Sequence, residues 1–105
     1  MDSTQPEKNL DVLKAAKACI DKGKYRATFH AEYRKHERAL TLLDALHIIK
    51  TGSRAREHDQ SKGASVSQNY AIEGLTLQED AARVVISFEG PLMLIVTMIN
   101  ITKSP

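Results

Sequence analysis

The hydrophobic pattern changes period once, near residue 51, and this change restricts the fold more than any other feature of the chain. Before it, apolar residues recur at helical spacing. Leu10, Leu13, Ala16 and Ile20 form one stripe, and Leu42, Leu43, Leu46 and Ile49 form another. After it, the period is two. Val66, Gln68, Tyr70 and Ile72 share one face of an extended segment, with Ser67, Asn69, Ala71 and Glu73 on the other. Helices first and strands afterwards predict an α+β domain, because alternating α/β folds interleave the two periods.

The same patterns set the expected elements. A first helix is predicted from Asn9 to Lys22 and stops at Gly23; Lys24 to Thr28 is a short extended or turn segment. A second helix is predicted from Phe29 to Ala39 with Thr28 as its N-cap. A third runs from Leu42 to Lys50, with Thr41 and Asp44 spaced as a capping box and Gly52 at its end. Ser53 to Arg56 reads as a short edge strand, and Glu57 to Ser65 as a polar hairpin loop. Strands follow at Val66–Gly74, Ala82–Phe88 and Leu92–Ile101, the last two joined by a turn at Glu89-Gly90-Pro91. Leu92–Ile101 is almost unbroken in apolar residues, so it is the expected central strand, covered on both faces. A helix-turn-helix built from the second and third helices would leave these strands unexplained.

The chain has 105 residues, room for one domain. Residues 1–8 read as a flexible N-terminus and residues 9–103 as a single α+β unit. With 42% hydrophobic and 27% charged residues, wholesale disorder is excluded. Cys19 is the lone cysteine, which excludes an internal disulfide and a Cys-x-x-Cys metal site. The first residues show no basic stretch followed by an apolar core, so no secretory signal is expected. The run from Leu92 to Ile99, interrupted by Thr97, is far short of the ~20 residues of a membrane helix. The expectation is a soluble cytoplasmic protein with no membrane partner.

The net charge of +2 hides a strong asymmetry. From Lys22 to Arg56 there are nine basic and three acidic residues, a balance of +6; the remainder has six basic and ten acidic residues, a balance of −4. A basic half of this kind suits an anionic ligand. At its centre, His30, Arg34 and Arg38 fall at i, i+4 and i+8 and stack on one helix stripe. Arg binds phosphate oxygens bidentately and keeps its charge, while His titrates near neutrality and can act as general acid or base. Metal-free RNA cleavage needs such groups, so His30, Arg34 and Arg38 are the candidate catalytic residues. Lys24 and Arg26 could extend the backbone track, and Tyr70 and Thr97 could line the site. The four His residues lack His-x-x-x-His spacing and an acidic cluster, so no metal or other cofactor is expected. A Gly-rich phosphate loop and a Gly-x-Ser-x-Gly elbow are also lacking.

The order of motifs resembles a small, widespread bacterial family of uncharacterised domains. Its helix typically reads His-Ala-x-x-Arg-Met-x-Glu-Arg-Gly-Ile-Ser/Thr, against His30-Ala31-Glu32-Tyr33-Arg34-Lys35-His36-Glu37-Arg38-Ala39-Leu40-Thr41 here. Tyr25-x-x-Thr28 precedes it, Tyr70-Ala71-Ile72-Glu73-Gly74 matches a Tyr-x-Ile-x-Gly strand, and Ile95-Val96-Thr97 matches the final Val-x-Thr. Lys35 and Ala39 depart from the Met and Gly of that pattern. The resemblance covers roughly Leu10 to Asn100. It implies an α+β fold similar to the RelE-like, MqsR-like and barnase-like ribonucleases. In that fold, two to three N-terminal helices pack on a C-terminal antiparallel sheet of about four strands. It also implies a cognate antitoxin as partner. The expected function is a metal-independent endoribonuclease of toxin–antitoxin type acting on RNA. The alternative is a non-catalytic RNA- or protein-binding module on the same scaffold.

Overall fold

A computed structural model describes residues 11–28, 40–61 and 68–101. Within them lie helix α1 (Val12–Asp21), strand β1 (Tyr25–Ala27), helix α2 (Leu42–Thr51), β2 (Ser53–Arg54), a 3-10 turn (Arg56–His58), β3 (Gln60–Ser61), β4 (Gln68–Leu75), β5 (Ala81–Glu89) and β6 (Leu92–Asn100). The predicted helix at Phe29–Ala39 lies outside the described residues.

Both helices are bounded by local chemistry. Asp11 caps α1 by accepting from the Lys14 N–H at 3.1 Å. Its other end closes through Gly23, at φ +70, with Gly23 N–H donating to Ile20 and Lys24 N–H donating to Cys19 at 2.8 Å. The predicted capping box of α2 forms: Asp44 N–H donates to Thr41 Oγ1 at 3.2 Å, and Thr41 N–H donates to Asp44 Oδ2 at 3.0 Å. The second Asp44 oxygen accepts from Leu77 N–H at 3.1 Å, tying the start of α2 to the β4–β5 link.

The α+β class holds, with helices preceding the main strands, but the antiparallel four-stranded sheet does not. The sheet is mixed and six-stranded, in the order β1-β6-β5-β4-β2, with β3 also pairing with β4. β4, β5 and β6 form the antiparallel meander, while β1 runs parallel to β6, with Tyr25 opposite Met93 and Ala27 opposite Ile95. The bonds from Met93 N–H to Lys24 (3.0 Å) and from Thr28 N–H to Ile95 (2.9 Å) hold this pairing. A three-residue strand carries no readable period, and its partner lies some seventy residues away, so local pattern could not supply it. The RelE-like and barnase-like sheet is therefore not the one this chain builds. Nor is β6 the middle strand; β5 is, and β6 lies between β5 and β1.

One face of the sheet receives the helices. Tyr70 and Ile72 of β4, Ala82, Val84 and Ile86 of β5, and Met93 and Ile95 of β6 join Val12, Ala16, Ala45, Ile48 and Ile49 in a single core. Fully burying side chains of this size contributes roughly 1.5–3 kcal/mol each. Val85 pairs with Thr97 but Ile86 pairs with Ile95, so Val96 is an extra residue in β6. Among the described residues, no helix is long and apolar enough to cross a membrane.

Two glycines set the helix-to-sheet approach. A Cβ on Gly52 would lie 2.4 Å from the Glu73 carbonyl oxygen and 2.7 Å from that of Ile48, and one on Gly74 would lie 3.0 Å from Gly52 Cα. Gly52→Ala is expected to cost about 2 kcal/mol, within the range for overpacking, measured as a lower denaturant midpoint with an unchanged slope.

Candidate functional site

Three cations of the basic half, Lys22, Lys24 and Arg26, reach the surface at one edge of the sheet. After the left-handed turn at Gly23, the chain extends into β1, whose alternation sends Tyr25 and Ala27 toward the core. Lys22, Lys24 and Arg26 are exposed. Among the described residues none of the three is ion-paired, whereas Arg54 and Arg83 both are. β1 ends the strand order, so these free cations stand along an outer edge.

The predicted site residues do not gather in one place. Arg26 is opposite Leu94, which pairs with Ser87, and Thr97 is opposite Val85; these residues belong to the sheet face turned away from the helices. Tyr70 is opposite Ile86, on the helix-covered face, and is 8% exposed. It therefore lies across the sheet from Thr97 and cannot line a common site with it. Tyr70 instead packs against Phe88, with centroids 6.0 Å apart, beneath the Arg54 guanidinium, 5.4 Å from the ring centroid. A cavity of about 410 Å³ opens beside it, lined mainly by apolar groups including Cys19, Tyr70, Phe88 and Pro91. His30, Arg34 and Arg38 lie outside the described residues.

Two polar clusters have no counterpart in the sequence reading. At the β2–β3 excursion, Arg54 donates to both Asp59 oxygens, at 3.0 and 2.5 Å, and to the Ala71 carbonyl at 2.6 Å; Asp59 also accepts from Ala71 N–H at 2.8 Å. The Asp59 carboxylate thus takes the place of a strand neighbour for Ala71. Burial pushes its pKa upward, but the hydrogen bonds from Arg54 and Ala71 and the charges of Arg54 and Arg56 outweigh burial and hold it below the usual carboxylate value.

The second cluster is on the open face. Glu73 and Arg83 are directly opposed on β4 and β5, with Arg83 Nε donating to Glu73 at 2.8 Å. The 3-10 turn brings His58 beside them, its Nε2 3.0 Å from Arg83 Nη2, 3.9 Å from Glu73 and 3.8 Å from Glu57. The alternation of 66–74 already places Glu73 away from the core, but pairing it with Arg83 needs the strand register. His58 falls in a polar stretch with no period to position it. Among the described residues, no group of three or more His, Cys, Asp or Glu is arranged to hold a metal ion.

Comparison with protein families, characterised proteins and solved structures finds no match to this chain. The resemblance noted above therefore stands on its motif order alone.

Proposed function

We propose that this chain binds RNA through the β1 edge and cleaves it without a metal ion. The observation that carries the reading is the close succession of Lys22, Lys24 and Arg26 at one sheet edge, exposed and without an ion pair among the described residues, whereas Arg54 and Arg83 are held in ion pairs. Free cations in close succession attract a phosphate backbone and release its counterions, without reading sequence. The segment that follows β1 supplies His30, Arg34 and Arg38, whose chemistry suits phosphodiester cleavage. The fold-level analogy with toxin ribonucleases adds nothing to this, since the sheets differ.

The experiment is incubation of purified chain with single-stranded RNA in excess EDTA. Fragments with 2′,3′-cyclic phosphate ends are expected. His30→Ala tests the assignment made from sequence: a group that moves a proton in the transition state contributes about 10²–10⁴ in rate. Intact RNA at stoichiometric protein, with salt-sensitive binding retained, would replace this reading with that of a non-catalytic binding module.

A further inference from the structure

We propose that Glu73, Arg83 and His58 are the catalytic centre of this cleavage, with Glu73 as general base and His58 as general acid. The proposal rests on the RNA-cleaving reading above and deepens it: it gives the two proton-moving roles to Glu73 and His58 in place of His30, which stays with Arg34 and Arg38 as a phosphate contact.

The three side chains come from separate elements and converge on the sheet face turned away from the helices. Glu73 points there because its neighbour Gly74 abuts Gly52 at the end of α2. Their side chains are 31%, 21% and 40% exposed for Glu73, Arg83 and His58, so they are ordered by their mutual contacts yet open to a ligand. A buried structural pair would be closed to solvent, and an unconstrained surface pair would have no third member.

Each group meets one requirement of the reaction. The Arg83 guanidinium is already within 3.0 Å of His58 and 2.8 Å of Glu73, so a phosphate placed on its remaining N–H groups would sit between a base and an acid. Nε2 of neutral His58 accepts from Arg83, which puts the ring proton on Nδ1. Protonation of Nε2 exchanges that bond for the carboxylates of Glu73 and Glu57, both under 4 Å away. Among the described residues, Arg83 on β5 is the cation in contact with it.

The step balances without a co-reactant. The ribose 2′-OH gives its proton to Glu73 as its oxygen bonds to phosphorus. Arg83 stabilises the charge that develops on the phosphorane. The bond from phosphorus to the 5′-oxygen breaks, and that oxygen takes the proton from the His58 imidazolium. The products are a 2′,3′-cyclic phosphate and a 5′-OH, and both side chains return to their starting states by proton exchange with water.

The test compares wild type, Glu73→Gln and His58→Gln in RNA cleavage. The two glutamines retain an acceptor for Arg83 but cannot relay a proton. Each is expected to lower the cleavage rate by at least about 100-fold while RNA affinity stays within about threefold and melting stays cooperative. Wild-type cleavage with both glutamine variants within threefold of it would overturn the proposal and leave the cluster as a clip on the 3-10 turn. Absence of wild-type cleavage would overturn the RNA-cleaving reading itself, and this assignment with it.

Discussion

Asp59→Ala is expected to destabilise the protein by about 3 kcal/mol, a large share of the 5–15 kcal/mol that hold a domain of this size together. The substitution leaves the Arg54 guanidinium, 14% exposed, without its carboxylate, and leaves the Ala71 N–H without its acceptor. Removing one partner of a mostly buried pair costs far more than the pair itself contributes, because the remaining charge is still desolvated. Equilibrium urea unfolding checks the size. A double-mutant cycle with Arg54→Ala checks the cause: the two changes are expected to fall short of additivity by 1 kcal/mol or more, about what groups in direct contact show. Full additivity would mean that Asp59 acts through Ala71 alone.

The pH dependence has a fixed sign. The folded state holds the Asp59 pKa below its ordinary value, so the folded state binds a proton less readily than the unfolded chain. The stabilisation is complete above the ordinary carboxylate pKa of about 3.9 and is lost as pH falls from there through the lower folded value. Asp59→Asn is expected to flatten the acid limb of the stability curve in that window and to leave its shape near neutrality unchanged.

What could be read from sequence follows the range of the interaction concerned. The capping box of α2 needs only Thr41 and Asp44, three residues apart, and both of its bonds form. The face of β4 that carries Tyr70 and Ile72 needs only alternation, and those residues do lie in the core. Alternation separates two faces without saying which one the helices cover, so it does not by itself put Tyr70 on the core side. The apolar run Leu92–Ile101 suggested a central strand buried on both sides. The extra residue at Val96 resets the alternation instead, so that Ile95 and Met98 oppose Ile86 and Val84 respectively on the core face. The open face still carries Leu92, Leu94 and Ile99, so the run is apolar on both faces although the helices pack on one. The contacts that no local pattern reports are those set by register: Glu73 with Arg83 across β4 and β5, and β1 with β6. Asp59 illustrates the same limit, since it reads as a loop residue until Arg54 and Ala71 are brought to either side of it.

Lys24→Glu and Arg26→Glu together are expected to weaken RNA binding by at least tenfold in moderate salt and to reduce the slope of log affinity against log salt by about 1.4. That figure follows from the roughly 0.7 counterions released per phosphate contact on a single strand. The distribution of charge, rather than its total, is what the experiment isolates. Lys50 is also exposed, but it lies in the last turn of α2, which packs against β4 and β5 on the far side of the strand order from β1. Lys50→Glu changes the net charge as much as either single reversal at the edge. If the β1 edge is the contact surface, Lys50→Glu shifts the whole titration slightly and leaves the salt slope intact, while Lys24→Glu and Arg26→Glu each remove close to one contact from it. Equal losses at all three positions would mean that RNA responds to the field of the whole protein, whose net charge is only +2, and the edge would then have no special role. A field that weak supports little binding at a salt concentration where the Debye length is near 10 Å, so measurable affinity under those conditions already favours a local cluster of free cations.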